Sequence, residues 1–228
     1  MNSRKKPSRI LVVDDHPLIR EGVSALLRRQ GDMEVCGEAS DVNEAISQIT
    51  QLQPDLVILD ISLKTGSGLD VIKQLRPAQK GRGNDGNAGV RILVHSAHDD
   101  SLYAERVLQA GAMGYINKQE APEQLITAAR RILSGKIYVS PQIAERLLDR
   151  AVGHRSRPVV DGVENLSDRE LHVFRLIGEA VQSRRIAEKL FISVHTVETH
   201  RENIKKKLGL KTGTELSQRA VQWVLENG

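Results

Sequence analysis

The stretch Arg9-Ile10-Leu11-Val12-Val13-Asp14-Asp15-His16-Pro17 passes from an unbroken apolar run into two acids and then into a proline that suits the first turn of a helix. Four successive apolar residues bounded by polar ones read as a strand buried on both faces, the pattern of a parallel sheet. Further short runs give strand candidates at Met33–Ala39, Leu56–Leu59, Arg91–Val94 and Gly114–Ile116. Between them, apolar residues at three- and four-residue spacing predict helices over Leu18–Leu27, Val42–Leu52, Leu69–Leu75 and Leu102–Ala110, and a fifth helix, Pro122–Leu133, opens on proline. Alternating strands and helices specify an α/β doubly wound, flavodoxin-like domain with a five-stranded parallel sheet, over residues 9–135 after a basic tail at 1–8. One connection stands out: Pro77–Gly89 is thick with Gly, Asn and basic residues and reads as a surface loop.

The chain of 228 residues is long enough for a second core. Residues 136–165 form a linker containing a short helix, Pro141–Ala151, followed by the Gly-, Pro-, Ser- and Arg-rich Val152–Asn165. Beyond it, over 166–228, only helical patterns follow. Leu166–Ala180 starts with a Ser167/Glu170 capping box. Ser183–Leu190 and Ser193–Leu208 are joined by a turn at Phe191 and Ile192, and the latter stops at Gly209. A last helix follows a Thr212/Glu215 capping box and runs to about Glu226. This half reads as an all-α, four-helix helix-turn-helix domain.

Composition narrows the classes. The single cysteine, Cys36, excludes an internal disulfide and a multi-cysteine zinc site, and is assigned no role. No apolar run approaches the roughly 20 residues of a membrane helix, so a cytoplasmic protein without membrane contact is expected. A net charge of +4 and a pI of 9.3 agree with a nucleic-acid partner without requiring one.

Asp14, Asp15 and Asp60 all fall at the carboxyl ends of strands, the edge where open α/β sheets place ligands. Three carboxylates packed together repel unless a cation sits among them, and a hard-oxygen site of this kind suits Mg²⁺. Ser96 and Lys118, at the ends of two further strands, bring a hydroxyl and an ammonium that can neutralise an anion built on Asp60. Taken singly, an Asp-Asp pair before proline is also a good helix start. A hydrolytic enzyme is disfavoured: no Gly-x-Ser-x-Gly is present, and His95 and Ser96, adjacent on one strand, point to opposite faces.

Val12-Val13-Asp14-Asp15-His16, Leu59-Asp60-Ile61-Ser62, Val94-His95-Ser96-Ala97 and Gly114-Tyr115-Ile116-Asn117-Lys118 together resemble a two-component receiver domain, over about Arg9–Ser134. The resemblance implies that Asp60 accepts a phosphoryl group from a sensor histidine kinase or phosphotransfer protein. It implies Mg²⁺ held by Asp14, Asp15, Asp60 and the backbone carbonyl of Ser62, phosphoryl contacts from Ser96 and Lys118, and a switch formed by Ser96 and Tyr115. Such a domain assists its own phosphorylation and dephosphorylation and is otherwise not an enzyme. The chain departs from the family's pattern in two places: Lys64-Thr65-Gly66-Ser67-Gly68 replaces a Pro-Gly turn, and Gln119 stands where proline is frequent. A receiver that merely dimerises, independent of phosphorylation, is the alternative.

On Ser193–Leu208 the residues Val194, Val197, Ile204 and Leu208 share one face, predicted to dock on Ile186, Leu190 and Phe174. That leaves His195, Thr196, Glu198, Thr199, Glu202, Lys205 and Lys206 for a partner, joined by Arg184, Arg185 and Arg201 as candidate phosphate contacts. Leu166-Ser167-Asp168-Arg169-Glu170, Ile186-Ala187-Glu188-Lys189-Leu190-Phe191-Ile192-Ser193, Thr196-Val197-Glu198-Thr199-His200 and Lys207-Leu208-Gly209-Leu210 resemble the LuxR/FixJ-type (NarL-like) effector domain. The resemblance implies double-stranded DNA as partner, base contacts at Glu198, Thr199 and Glu202, an inward-packed His200 and a homodimer on DNA formed through the last helix. RNA polymerase stands open as a further partner. Acids are unusual at the base-contacting positions; a glutamate there can accept from cytosine N4, so Glu198 is a candidate for reading a C·G pair. The whole then reads as a response regulator transcription factor.

Overall fold

Strand registers follow from where the apolar runs can pair. The computed structural model describes residues 6–63, 66–80, 89–97, 101–151 and 162–227. The chain divides into two compact units, the main body of the second beginning at Glu145. In the first, β1 (Ser8–Val13), β2 (Met33–Ala39), β3 (Leu56–Leu59), β6 (Arg91–Ser96) and β7 (Gly114–Asn117) form a parallel sheet in the order β2-β1-β3-β6-β7. Strand order reverses between β1 and β3, so a crevice opens at their carboxyl ends.

Alternation along the strands supplies both faces of the core. Ile10, Val12, Leu56 and Ile58 pack with Val23 and Leu27 of α1 (Pro17–Arg28) and with Leu125, Ala129 and Ile132 of α5 (Pro122–Leu133). Leu11, Val13, Val57 and Leu59 point to the opposite face and are also buried, as are Ala45 and Ile49 of α2 (Val42–Leu52), Val71 and Ile72 of α3 (Gly68–Lys80), and Ala104 and Val107 of α4 (Ser101–Ala110). On edge strand β2 the register slips between Ile10↔Val35 and Leu11↔Gly37, which leaves the half-buried Cys36 as the extra residue of a bulge.

The structure lengthens several predicted elements. The first strand starts at Ser8, and β6 and β7 run on to Ser96 and Asn117 because Ser96 pairs in register with Asn117. α3 continues through Pro77 to Lys80, correcting a loop drawn from Pro77: the proline forfeits one hydrogen bond, and the Ala-Gln-Lys that follows favours helix. The rest of that expected loop, residues 81–88, lies outside the described residues, as do residues 1–5 of the basic tail and 152–161 of the linker. A two-residue-per-strand hairpin, β4 (Ser62–Leu63) with β5 (Gly66–Ser67), is too short to leave a periodic signal.

After α6 (Pro141–Ala151) and a 3-10 turn at Val163–Asn165, the second unit holds α7 (Asp168–Gly178), α8 (Ser183–Leu190), α9 (Val194–Leu208) and α10 (Gly213–Asn227). Ser167 caps α7 in a complete capping box with Glu170, worth about 1 kcal/mol. Glu170 is buried and also accepts from Lys207 Nζ at 2.6 Å, tying the first helix to the end of α9. Arg169 donates to the Leu190 carbonyl and so holds the end of α8. Phe174 and Trp223 meet at 5.8 Å between centroids, a tilted contact worth about 1 kcal/mol beyond area. A Cβ on Gly178 would come within 2.4 Å of the Ala220 carbonyl, so glycine sets the approach of α7 and α10.

Gly178→Val is predicted to separate α7 from α10 and destabilise this unit by about 1–3 kcal/mol, measured by denaturant unfolding. Burial, reinforced by Arg169, Arg175 and Lys189, lowers His172 to about 4. The unfolded chain therefore takes up this proton first as pH falls from about 6.5. The stability lost between about pH 6.5 and 4 should be smaller in His172→Gln, as read from the midpoint of thermal unfolding against pH.

Candidate functional site

The carboxyl ends of β1 and β3 bring Asp14 and Asp60 together. Asp14 N donates to the Ala39 carbonyl at 3.1 Å and Asp60 N to the Val13 carbonyl at 2.8 Å, so the sheet ladder itself aims both residues at the crevice. Both carboxylates are buried. Lys118, just beyond β7, bridges them, with Nζ 2.6 Å from Asp14 Oδ2 and 2.7 Å from Asp60 Oδ2. Its backbone N donates to the Ser96 carbonyl at 2.7 Å, which anchors the lysine to the end of β6. Ser96 is fully buried at the same edge.

Burial raises Asp60 to about 6; Lys118 opposes the shift and Asp14 adds to it. Burial alone would lower Lys118, but the Asp60 and Asp14 carboxylates outweigh it and the ammonium is raised. His95, beside Ser96, is lowered to about 4 by burial and then by Lys118, against Asp14, and brings no positive charge to the pocket at neutral pH.

Asp15 and His16 complete a cluster with Asp14 and Asp60 in which one ligand atom from each lies within 4.8 Å of the others. His16 N donates to Asp14 Oδ1 at 2.9 Å. Its Nδ1 lies 2.7 Å from Asp15 Oδ1, a buried carboxylate oxygen that accepts no hydrogen bond. An orphaned anionic oxygen beside two buried carboxylates is the donor set a hard divalent cation fits.

The loop after Asp60 is held closely. Ser62 N donates to Asp60 Oδ1 at 3.2 Å, and Gly68 N donates to the Ile61 carbonyl at 2.8 Å. A Cβ on Gly68 would lie 2.2 Å from the Asp60 carbonyl oxygen, so α3 can start against the Asp60 backbone only with glycine there. The sequence marked this glycine only as a turn former. Arg20, which donates to the Asp14 carbonyl at 2.7 Å and pairs with Glu38 at 3.4 Å, was also not singled out. Lys64, Thr65 and His98 lie outside the described residues. Tyr115 is fully buried in β7, in register with Val94 and with its N donating to the Tyr138 carbonyl at 3.0 Å.

In the second unit, α8 and α9 form a helix-turn-helix. Phe191 takes a left-handed conformation (φ 52°) at the turn, and Ser193 caps α9, accepting from Thr196 N at 3.0 Å. Val197 and Ile204 are buried, as are Ile186, Leu190 and Phe174 on the helices packed against α9, whereas Val194 is exposed. That corrects the docking face: Val194 is the first residue of the helix and precedes the turn that meets the core. His200 is half-buried with Nδ1 enclosed. His195, Glu198, Thr199, Glu202 and Lys206 are exposed, as are Arg184 and Arg185, both near Glu188. Thr196 is half-buried at the cap, and Arg201 and Lys205 pair with Glu198 and Glu202.

Residues 10–130 match the response regulator receiver domain, and residues 164–220 match the bacterial regulatory proteins of the luxR family. The chain is a response regulator. The regulator is 37% identical to the oxygen regulatory protein NreC of Staphylococcus carnosus (strain TM300) over 218 residues, 94% of this chain and 97% of that protein. A two-component response regulator of the LuxR family from Aurantimonas sp. SI85-9A1 matches with 35% identity and a TM-score of 0.57, over 64% of this chain and 99% of that one. A structure of two RcsB dimers bound to two parallel DNAs matches with 25% identity and a TM-score of 0.56, over 94% and 98% of the two chains. The regulator thus joins a receiver domain to a LuxR-type DNA-binding domain, and among its described residues no helix is long and apolar enough to cross a membrane.

Because Asp60 is raised, the folded receiver holds a proton that the unfolded chain releases near pH 4, so its stability falls as pH rises from about 4 to about 6. Without divalent cations, Asp60→Asn should melt several degrees higher than the wild type at pH 7.5, with the gap closing below pH 4. Gly68→Ala should lower the melting temperature at both pH values.

Proposed function

We propose that Asp60 accepts a phosphoryl group from a sensor histidine kinase or phosphotransfer protein, and that this controls sequence-specific binding of DNA by α9. The observation that carries the reading is Lys118 bridging two buried carboxylates, one of them the residue that would carry the new anion. In the transfer, a carboxylate oxygen of Asp60 bonds to phosphorus as the phosphorus–nitrogen bond of the donor phosphohistidine breaks, and the freed imidazole leaves with its electron pair. Positioning and charge neutralisation do most of the work in such a step.

Asp14, Asp15, Asp60 and the Ser62 carbonyl are the residues that would hold Mg²⁺, which when bound neutralises charge on the transferring group. Lys118 supplies a second positive charge on the Asp60 side. Ser96 donates its hydroxyl to the anion, and Tyr115 follows the movement of Ser96, making a two-position element that phosphorylation biases. Receiver boundaries of 9–135, a linker at 136–165 and an effector at 166–228 complete the assignment. The regulator acts in the cytosol and catalyses no reaction beyond phosphorylation and dephosphorylation of its own aspartate.

On DNA, Arg184, Arg185 and Lys206 meet phosphates, and exposed pairs such as those with Glu188 exchange partners at little cost. His195, Thr196, Glu198, Thr199, Arg201, Glu202 and Lys205 complete the interface. By analogy with RcsB, the regulator binds as a homodimer; Val221 and Leu225 expose apolar side chains one turn apart on α10. RNA polymerase is a candidate partner at the promoter.

With a small phosphodonor and Mg²⁺, the wild type should gain the mass of one phosphoryl group on the peptide containing Asp60. Asp60→Asn should gain none, and Lys118→Met should gain it at least tenfold more slowly, about 1.4 kcal/mol in barrier. An unmodified wild type, with the donor shown to be active on another receiver, would support the phosphorylation-independent alternative.

A further inference from the structure

In the middle of α9 the acids Glu198 and Glu202 stand further out from the helix than the cations paired with them, whereas Lys206 and Lys207 nearer its end are themselves exposed. Glu198 and Glu202 keep 51% and 58% of their side chains exposed, whereas Arg201 and Lys205, paired with them at 3.5 and 2.8 Å, keep 20% and 17%. Each cation sits three residues after its acid, on the adjoining surface of the same helix. Thr199, between the acids, donates its hydroxyl to the His195 carbonyl at 3.0 Å. The middle of the outward face therefore offers two carboxylates to a partner. A carboxylate accepts hydrogen bonds and cannot donate.

Phosphates repel an acidic surface, so two acids in the centre of a DNA-facing helix need their charge offset locally. Arg201 and Lys205 do so without covering the carboxylates. In the major groove only cytosine N4 and adenine N6 donate, while guanine and thymine present acceptors. Adenine places its N7 acceptor beside N6, where it opposes a carboxylate; cytosine has no such neighbour. A helix-turn-helix puts the N-terminal part of its second helix against base edges, the part that contains Glu198. Glu202 follows one turn later, about 6 Å along the helix. That is about two base-pair steps when the helix follows the groove.

We propose that Glu198 and Glu202 are specificity-determining residues, selecting cytosines about two base pairs apart in each half-site, with Arg201 and Lys205 as positioning residues that hold the acids and offset their charge. The proposal rests on the reading of α9 as the helix that enters the groove. It assigns the target sequence to two acids and leaves uniform attraction to the outer cations.

The test is selection from a random duplex library by the full-length protein with Mg²⁺ and a small phosphodonor, followed by affinities on single-base variants of the selected site. The wild type should enrich half-sites with two cytosines at that spacing. Glu198→Gln should move one of them from cytosine toward adenine, whose N6 and N7 a glutamine amide matches, while the other stays cytosine. Glu198→Ala should lower discrimination at that position about tenfold without altering the dependence of affinity on salt. Arg201→Gln should weaken discrimination at the same position, with an unchanged circular dichroism melting curve separating this from misfolding. A wild-type site lacking the two cytosines, or a Glu198→Gln protein that gains affinity for every duplex with the same consensus, would overturn the proposal. If the wild type enriched no duplex, the DNA-binding reading itself would fail and take the proposal with it.

Discussion

Everything at the receiver's functional edge depends on Lys118 standing between Asp14 and Asp60. Two buried carboxylates side by side cannot both remain ionised in a low-dielectric crevice without a cation near them. The lysine supplies that charge from a strand two positions away from β3 in the sheet, and its placement relies on the β6–β7 pairing that links its backbone to Ser96. The sheet order thus determines the electrostatics: a change of register on β7 would withdraw the ammonium and leave the acids uncompensated. The residual positive demand, shown by the buried Asp15 oxygen that accepts no hydrogen bond, is what makes the pocket a fit for a divalent ion.

A second constraint is steric. The start of α3 lies so close to the Asp60 backbone that only glycine fits at Gly68. The start of α3 therefore packs directly on the backbone that carries Asp60. The effector unit shows a comparable economy: Glu170 completes a capping box, is buried, and receives Lys207 from the end of α9, so one acid fixes both the start of the first helix and the tilt of the second helix of the motif.

Much of this was legible in the sequence, for identifiable reasons. The runs Ile10–Val13 and Leu56–Leu59 are strands because nothing else buries four consecutive β-branched and leucine residues, and the acids at their ends had to share an edge once the sheet was parallel. The side-chain caps of Ser167 and Thr212 are local, with partners three residues away, although Glu215 closes on Lys211 N instead of completing a box with Thr212. What escaped were contacts between residues far apart in the chain, such as Lys207 with Glu170 and Arg20 with Glu38, which leave no spacing to read. The two-residue hairpin at Ser62–Ser67 is shorter than any periodic signal, and Val194 looked like a core residue because periodicity does not say where the first turn meets its neighbour. The charge on α9 was read as mixed; only the geometry reveals that Glu198 and Glu202 are more exposed than their partners Arg201 and Lys205.

In the proposed mechanism, charge added at Asp60 changes DNA binding by α9. The most direct measurement is the affinity of the full-length protein for one two-fold symmetric duplex, titrated with Mg²⁺ in the presence and absence of a small phosphodonor, for the wild type and Asp60→Asn. Phosphorylation should tighten binding by the wild type at least tenfold, a coupling of about 1.4 kcal/mol or more, and should leave the variant unchanged. Equal affinity with and without phosphorylation would contradict the mechanism.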